Sequence, residues 1–179
     1  MQPLKHFLSM IVLVLLTQFS LSAHAENPLP ELGDMQALGA QAKEKELPIM
    51  LMFSAKWCEY CEVLKEQVIY PMMINGMYEG KVMYLRNVGV DEPDPIRDFQ
   101  GKRYKNKAAW AFHLSADLTP TFLFVDGNGK EIAERIVGIP EVTLFAALIH
   151  SRVNDAYQAM GIDKKIPATP EKLAAQQKP

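Results

Sequence analysis

Apolar and polar positions change period several times along the 179-residue chain, and each change marks an element. Residues 26–30 read as a disordered leader. Glu31 to Leu47 places Leu32, Met35, Leu38 and Ala42 near helical spacing, with Gly33 and Gly39 weakening the pattern. Pro48 to Phe53 is an unbroken apolar run of strand length, as a fully buried strand requires. A helix is expected from Cys58, with Val63, Leu64 and Val68 inward and Pro71 ending or kinking it. Lys81 to Val88 alternates as a second strand, and 89–106 is irregular and charged. Lys107 to Ser115 fits a short helix with Trp110 and Leu114 inward. Thr121 to Val125, the turn Asp126-Gly127-Asn128-Gly129 and Lys130 to Val137 form a hairpin. A last helix opens at Pro140 and repeats Leu144, Phe145, Leu148, Ile149 and Val153 on one face.

This order predicts an α/β fold, a mixed sheet with helices on both faces. A parallel pair joined through the 58–71 helix puts Cys58 at the carboxyl end of a central strand, where open α/β sheets hold their sites.

The N-terminus alters the picture. Lys5, the apolar stretch Phe7 to Leu16 and Ala23-His24-Ala25 together fit a cleaved secretory signal over residues 1–25. An uncleaved anchor is the alternative. The expected organisation is then a signal at 1–25, one domain at 26–162, and a frayed tail at 163–179 rich in Lys, Pro, Ala and Gln. A formal net charge of −2 gives no basis for nucleic-acid binding. A secretory signal implies export to an oxidising compartment such as a periplasm.

The candidate chemistry lies in Trp57-Cys58-Glu59-Tyr60-Cys61. These are the chain's only 2 cysteines, so they pair with each other or with a partner's thiols. The spacing sets both sulfurs at a helix start, where free amide N–H groups favour a thiolate. A structural disulfide is the bland alternative, but so small a loop constrains the unfolded chain least. No zinc motif, phosphate loop or hydrolase triad appears, and no cofactor or metal is expected. His113 and His150 show no ligand spacing.

Three separated signals resemble the thioredoxin superfamily across roughly Pro48 to Ile149. They are Trp57-Cys58-x-x-Cys61, then Thr119-Pro120-Thr121 before a strand, then Val137-Gly138 before the last helix. Within the superfamily the chain looks most like secreted bacterial thioredoxin-like proteins, such as the SoxW type and the C-terminal domain of the electron conductor DsbD. The resemblance implies a thioredoxin-like fold and a thiol–disulfide oxidoreductase. It assigns Cys58 as nucleophile and Cys61 as resolving thiol, with Trp57, Glu59 and Tyr60 shaping the site. It also implies a cis-proline at Pro120, with Thr119 facing an extended partner segment, and Gly138 leaving that segment room.

One departure concerns proton transfer. Thioredoxins carry a buried aspartate six residues before the first cysteine; here that position is Met52, with Glu59 and Glu62 as candidate replacements. The segment 89–118 is also longer, and its basic run Lys102, Arg103, Lys105 and Lys107 reads as a solvated loop or a docking surface. Glu59 beside Cys58 disfavours a deeply depressed thiol pKa. A reducing protein is therefore expected, nearer thioredoxin at about −270 mV than the oxidant DsbA at about −120 mV. The expected partners are a membrane electron donor and proteins joined through mixed disulfides, with the chain itself monomeric. Two alternatives stay open: a disulfide oxidase or isomerase, and a Cu(I)-binding envelope chaperone using the cysteines with Met72, Met73 and Met77.

Overall fold

The computed structural model describes residues 29–177. The expected signal, residues 1–25, and most of the expected leader lie outside the described residues. The sheet is built on β1 (Ile49–Ser54), in which all six residues are buried. β2 (Tyr84–Gly89) pairs parallel with β1, and β5 (Thr121–Val125) pairs antiparallel on its other side. β6 (Glu131–Val137) extends the sheet beyond β5 with an irregular register, giving the order β2-β1-β5-β6. The second strand starts later than its alternation suggests, because residues 81–83 turn back onto the Tyr78 carbonyl.

Helices cover both faces. Phe53 meets Trp110 of the short helix Lys107–His113 at 5.5 Å between ring centroids. Phe122, opposite Met52 and so on the other face, meets Phe145 of the long helix Val142–Ala159 at 5.0 Å. In chain order the helices are α1 (Met35–Glu44), α2 (Glu59–Leu64), α3 (Tyr70–Ile74), α4 (Lys107–His113), α5 (Val142–Ala159) and α6 (Pro170–Gln176). Asp34 caps α1 by accepting from the Gln36 and Ala37 N–H groups. Gly39, weak for a helix by propensity, sits where α1 crosses the β5–β6 turn; a Cβ there would overlap the Gly127 carbonyl.

Pro71 neither ends nor sharply breaks the helix that follows the cysteines. Residues Lys65–Ile69 between α2 and α3 widen into a π turn, and the Tyr70 N–H reaches the Lys65 carbonyl five residues back. A proline lacks an N–H and crowds the carbonyl four residues earlier, and the wider turn relieves both conflicts.

The irregular stretch 89–106 contains a small ribbon, β3 (Ile96–Arg97) paired with β4 (Arg103–Tyr104). Asp98 closes it by accepting from the Gln100 and Lys102 N–H groups. Lys102, Arg103 and Lys105 are exposed as a solvated loop requires, but Lys107 is buried and pairs with Glu31 and Glu92. Ahead of α1, a strap runs along the outer edge of β2: the Leu32 N–H bonds the Asn87 carbonyl and the Asn87 N–H bonds the Pro30 carbonyl.

The expectation of a frayed tail does not hold for residues 163–177. Ile166 and Leu173 are buried, and Asn154 of α5 exchanges two hydrogen bonds with the Ile166 backbone. His150, fully buried, donates from Nδ1 to the Pro167 carbonyl at 2.6 Å and lies 2.7 Å from the Tyr78 hydroxyl through Nε2. Burial pushes the His150 pKa below its ordinary value and the Tyr78 pKa above its own. Polar composition concealed this segment because two well-placed apolar side chains, and side-chain partners from α5 for its backbone, suffice to dock it.

Candidate active site: a cysteine pair at a helix start

The chain leaves β1 at Ser54, whose carbonyl accepts from the Val90 N–H. The turn that follows is closed by the Cys58 N–H to the Ala55 carbonyl at 3.0 Å and braced by Asp91, which accepts from the Lys56 N–H at 3.2 Å. Cys58 then stands at the N-cap of α2 with extended backbone, and its sulfur accepts from the Cys61 N–H at 3.2 Å. A sulfur in that position receives one of the amide donors that a helix start leaves unpaired.

Cys58 and Cys61 are joined in a disulfide with Cα atoms 5.2 Å apart. The two cysteines are not equally buried. Cys58 retains 6% of its surface, whereas Cys61 retains none. The rim is apolar and open: Trp57 is 71% exposed and Tyr60 69%. Trp57 is therefore not a core aromatic.

The strand partners assemble the rest of the site. Thr121 lies opposite Phe53, so the Thr119–Pro120 bond, which is cis, sits at the end of the sheet from which the chain runs to Cys58. Gly138 donates its N–H to the Pro120 carbonyl at 2.8 Å; its φ is +73°, and nothing lies within 4 Å of a Cβ placed there. Leu118, not singled out by the sequence, and Val137, named there only as the neighbour of Gly138, add exposed apolar surface immediately before Thr119 and Gly138. The Thr119 hydroxyl is buried without a hydrogen-bond partner.

Beneath the site, Met52 is fully buried between Asn87 of β2 and Phe122 of β5. Neither candidate acid takes the aspartate's place there: Glu59 faces solvent, and Glu62 pairs with Lys65 at 2.9 Å. Asn87, the β2 partner of Met52, forms a buried polar pair with Ser54 at 2.6 Å and leads outward to Glu31. Met72 is buried in the core, with Met73 and Met77 packed partly against it. Among the described residues no group of three or more His, Cys, Asp or Glu is placed to hold a metal ion.

The sequence model of the thioredoxin-like domain family matches residues 35–152, which is more than half of the chain and includes both cysteines, Pro120 and Gly138. The chain belongs to the thioredoxin-like family. Its bonded Cys-x-x-Cys pair makes it a thiol–disulfide oxidoreductase of that family. The thiol:disulfide interchange protein DsbD of Salmonella typhi is 30% identical over 118 residues, 65% of this chain and 18% of that protein. The DsbD of Salmonella choleraesuis is 26% identical over 114 residues, 63% of this chain and again 18% of the relative. This thioredoxin-like chain thus spans under a fifth of the length of the curated relatives it matches. Among solved structures, a thioredoxin-fold protein from Helicobacter pylori superposes with a TM-score of 0.47 at 19% identity, covering 85% of each chain. Thioredoxin O2 from Arabidopsis thaliana, in its oxidised state, gives 0.46 at 18% identity over 72% of this chain and 97% of the other.

Proposed function

We propose that this protein is a periplasmic disulfide reductase that takes electrons from a membrane donor and passes them to oxidised partner proteins. In each turnover the Cys58 thiolate attacks a partner disulfide and forms a mixed disulfide. Cys61 then attacks Cys58, releasing the partner as a dithiol and closing the Cys58–Cys61 bond. Two electrons and two protons leave the protein, and the donor restores them. The activity is the interchange for which the DsbD relatives are named. Residues 1–25 as a secretory signal are part of this proposal.

The observation that carries it is the unequal burial of the two cysteines at one helix start, inside an open apolar rim. An accessible sulfur accepts a partner while a buried one waits to release it. Trp57, Tyr60, Leu118 and Val137 offer apolar surface to a partner segment, with the Thr119–Pro120 backbone and the open space at Gly138 beside them. Glu59 adds a carboxylate next to Cys58, which favours the thiol over the thiolate and so a reducing potential.

Equilibration of the purified protein with glutathione tests the direction; the expected potential lies near that of thioredoxin, about −270 mV, and a value above about −150 mV overturns the reductase in favour of an oxidase. Cys61→Ser should accumulate a mixed disulfide through Cys58 in cells, identifiable by mass spectrometry. Recovery of only unmodified Cys61→Ser protein counts against the exchange cycle.

A further inference from the structure

We propose that Lys65 is a positioning residue for the resolving thiol, its ammonium favouring the Cys61 thiolate during release of the partner. The proposal rests on the exchange function above and names the group that assists its second step. In that step the Cys61 thiol gives its proton to solvent and its sulfur bonds Cys58 Sγ. The bond between Cys58 and the partner breaks, and its electron pair leaves on the partner sulfur, which then takes up a proton.

The geometry begins with the backbone. The Lys65 N–H bonds the Cys61 carbonyl, so the two residues stand one α-helical turn apart, before the helix widens. Residues so related lie on one face with Cβ atoms about 6 Å apart, and the later residue's Cα–Cβ bond tilts back toward the helix start. That face is the buried one: Cys61, Leu64, Lys65, Val68, Ile69 and Met72 are its members. Lys65 is the lone permanent cation among them, with a side chain only 9% exposed.

A leucine or methionine would fill this place without the desolvation that a buried ammonium costs. The carboxylate paired with Lys65, Glu62, is itself 47% exposed and lies toward solvent, so water weakens its hold on the charge. The other charges around Cys61 are engaged or solvated. Lys56, Glu59 and Glu66 are exposed. On α5, His150 is held by Tyr78 and Pro167, Arg152 pairs with Glu134 and Asp155, and the Tyr157 hydroxyl bonds the Val82 carbonyl. β1 and β5 carry no ionisable side chain, and Arg86 of β2 pairs with Glu79. Where Met52 stands in place of the usual acid, the buried charge one helical turn from the resolving cysteine is positive.

A Cys58→Ser protein has Cys61 as its single thiol, and ultraviolet absorbance against pH reports its ionisation. Adding Lys65→Met should raise the Cys61 pKa by about one unit, and Lys65→Arg should restore it. With both cysteines present, Lys65→Met should slow resolution of the glutathione mixed disulfide about threefold at neutral pH. The tenfold fall in thiolate is partly offset by the greater nucleophilicity of a more basic sulfur. Lys65→Gln is the second variant should Lys65→Met not fold. An unchanged Cys61 pKa in either neutral variant overturns the proposal. Failure of the wild-type protein to exchange with glutathione sinks the parent function instead, and the Cys61 titration still decides the role of Lys65.

Discussion

A buried hydroxyl without a partner contributes no hydrogen bond to the fold, and Thr119 Oγ1 is such a group. Thr119→Val keeps the shape and removes that oxygen. Its urea midpoint should therefore stay within about 0.5 kcal/mol of the wild type, or rise. The redox potential should shift, because the change is made next to Pro120 at the site. An unchanged potential would remove Thr119 from the site, and a stability loss above about 1 kcal/mol would point to a bond the hydroxyl makes in solution. At this scale the bond between Cys58 and Cys61 was legible because they are the chain's only cysteines and stand three positions apart, while their chemistry needed the Thr119-Pro120 and Gly138 signals beside them. Lys65 was not, since a lysine is read as solvent-facing by default. Its distance of four residues from Cys61 was the available signal, and only the burial of that face gives it meaning.

At the scale of elements, the contact between α1 and the β5–β6 turn sets a limit that helix propensity misses. In an exposed helix Gly→Ala gains up to about 1 kcal/mol. At Gly39 the added methyl overlaps the Gly127 carbonyl, which is backbone and cannot rotate aside. Gly39→Ala should instead destabilise by about 1 to 3 kcal/mol, measured as a lower urea midpoint. A midpoint equal to or above the wild type would mean that the helix and turn separate easily. β1 and β5 were legible as unbroken apolar runs, β6 through the Asp126–Gly129 turn that joins it to β5, and α5 through its helical period, although Leu144 of that period proves exposed. The β3–β4 ribbon was not: its strands have two residues each, too few for alternation to register. The π turn follows from a conflict four to six residues apart, between continued helix and Pro71.

For the molecule as a whole, the segment after α5 is tied to the turn before β2 through His150 and Tyr78. Donation from Nδ1 to the Pro167 carbonyl and acceptance at Nε2 from the Tyr78 hydroxyl require the neutral ring. Burial lowers the folded-state pKa below the ordinary 6.5, against a smaller opposing influence of the Pro167 carbonyl and Glu171. The unfolded chain thus binds more protons as pH falls from about 6.5, and stability is lost across that window. His150→Gln should reduce the loss of urea midpoint between pH 7 and pH 5; an equal loss in both proteins would assign it to other groups. The polarity of residues 163–177 hid this closure from the sequence, since Ile166 and Leu173 acquire meaning only against α5.

The strap of Pro30 to Leu32 along β2 has a consequence for how copies of the sheet can meet. It occupies hydrogen-bonding positions that a border strand would otherwise offer to a neighbouring molecule, leaving β6 as the open border of the four-stranded sheet. That border bears Glu131, Glu134 and Arg135, whose charges oppose stacking of one copy's backbone against another's. Growth of the sheet from molecule to molecule is thereby discouraged on both sides, by cover on one and by charge on the other.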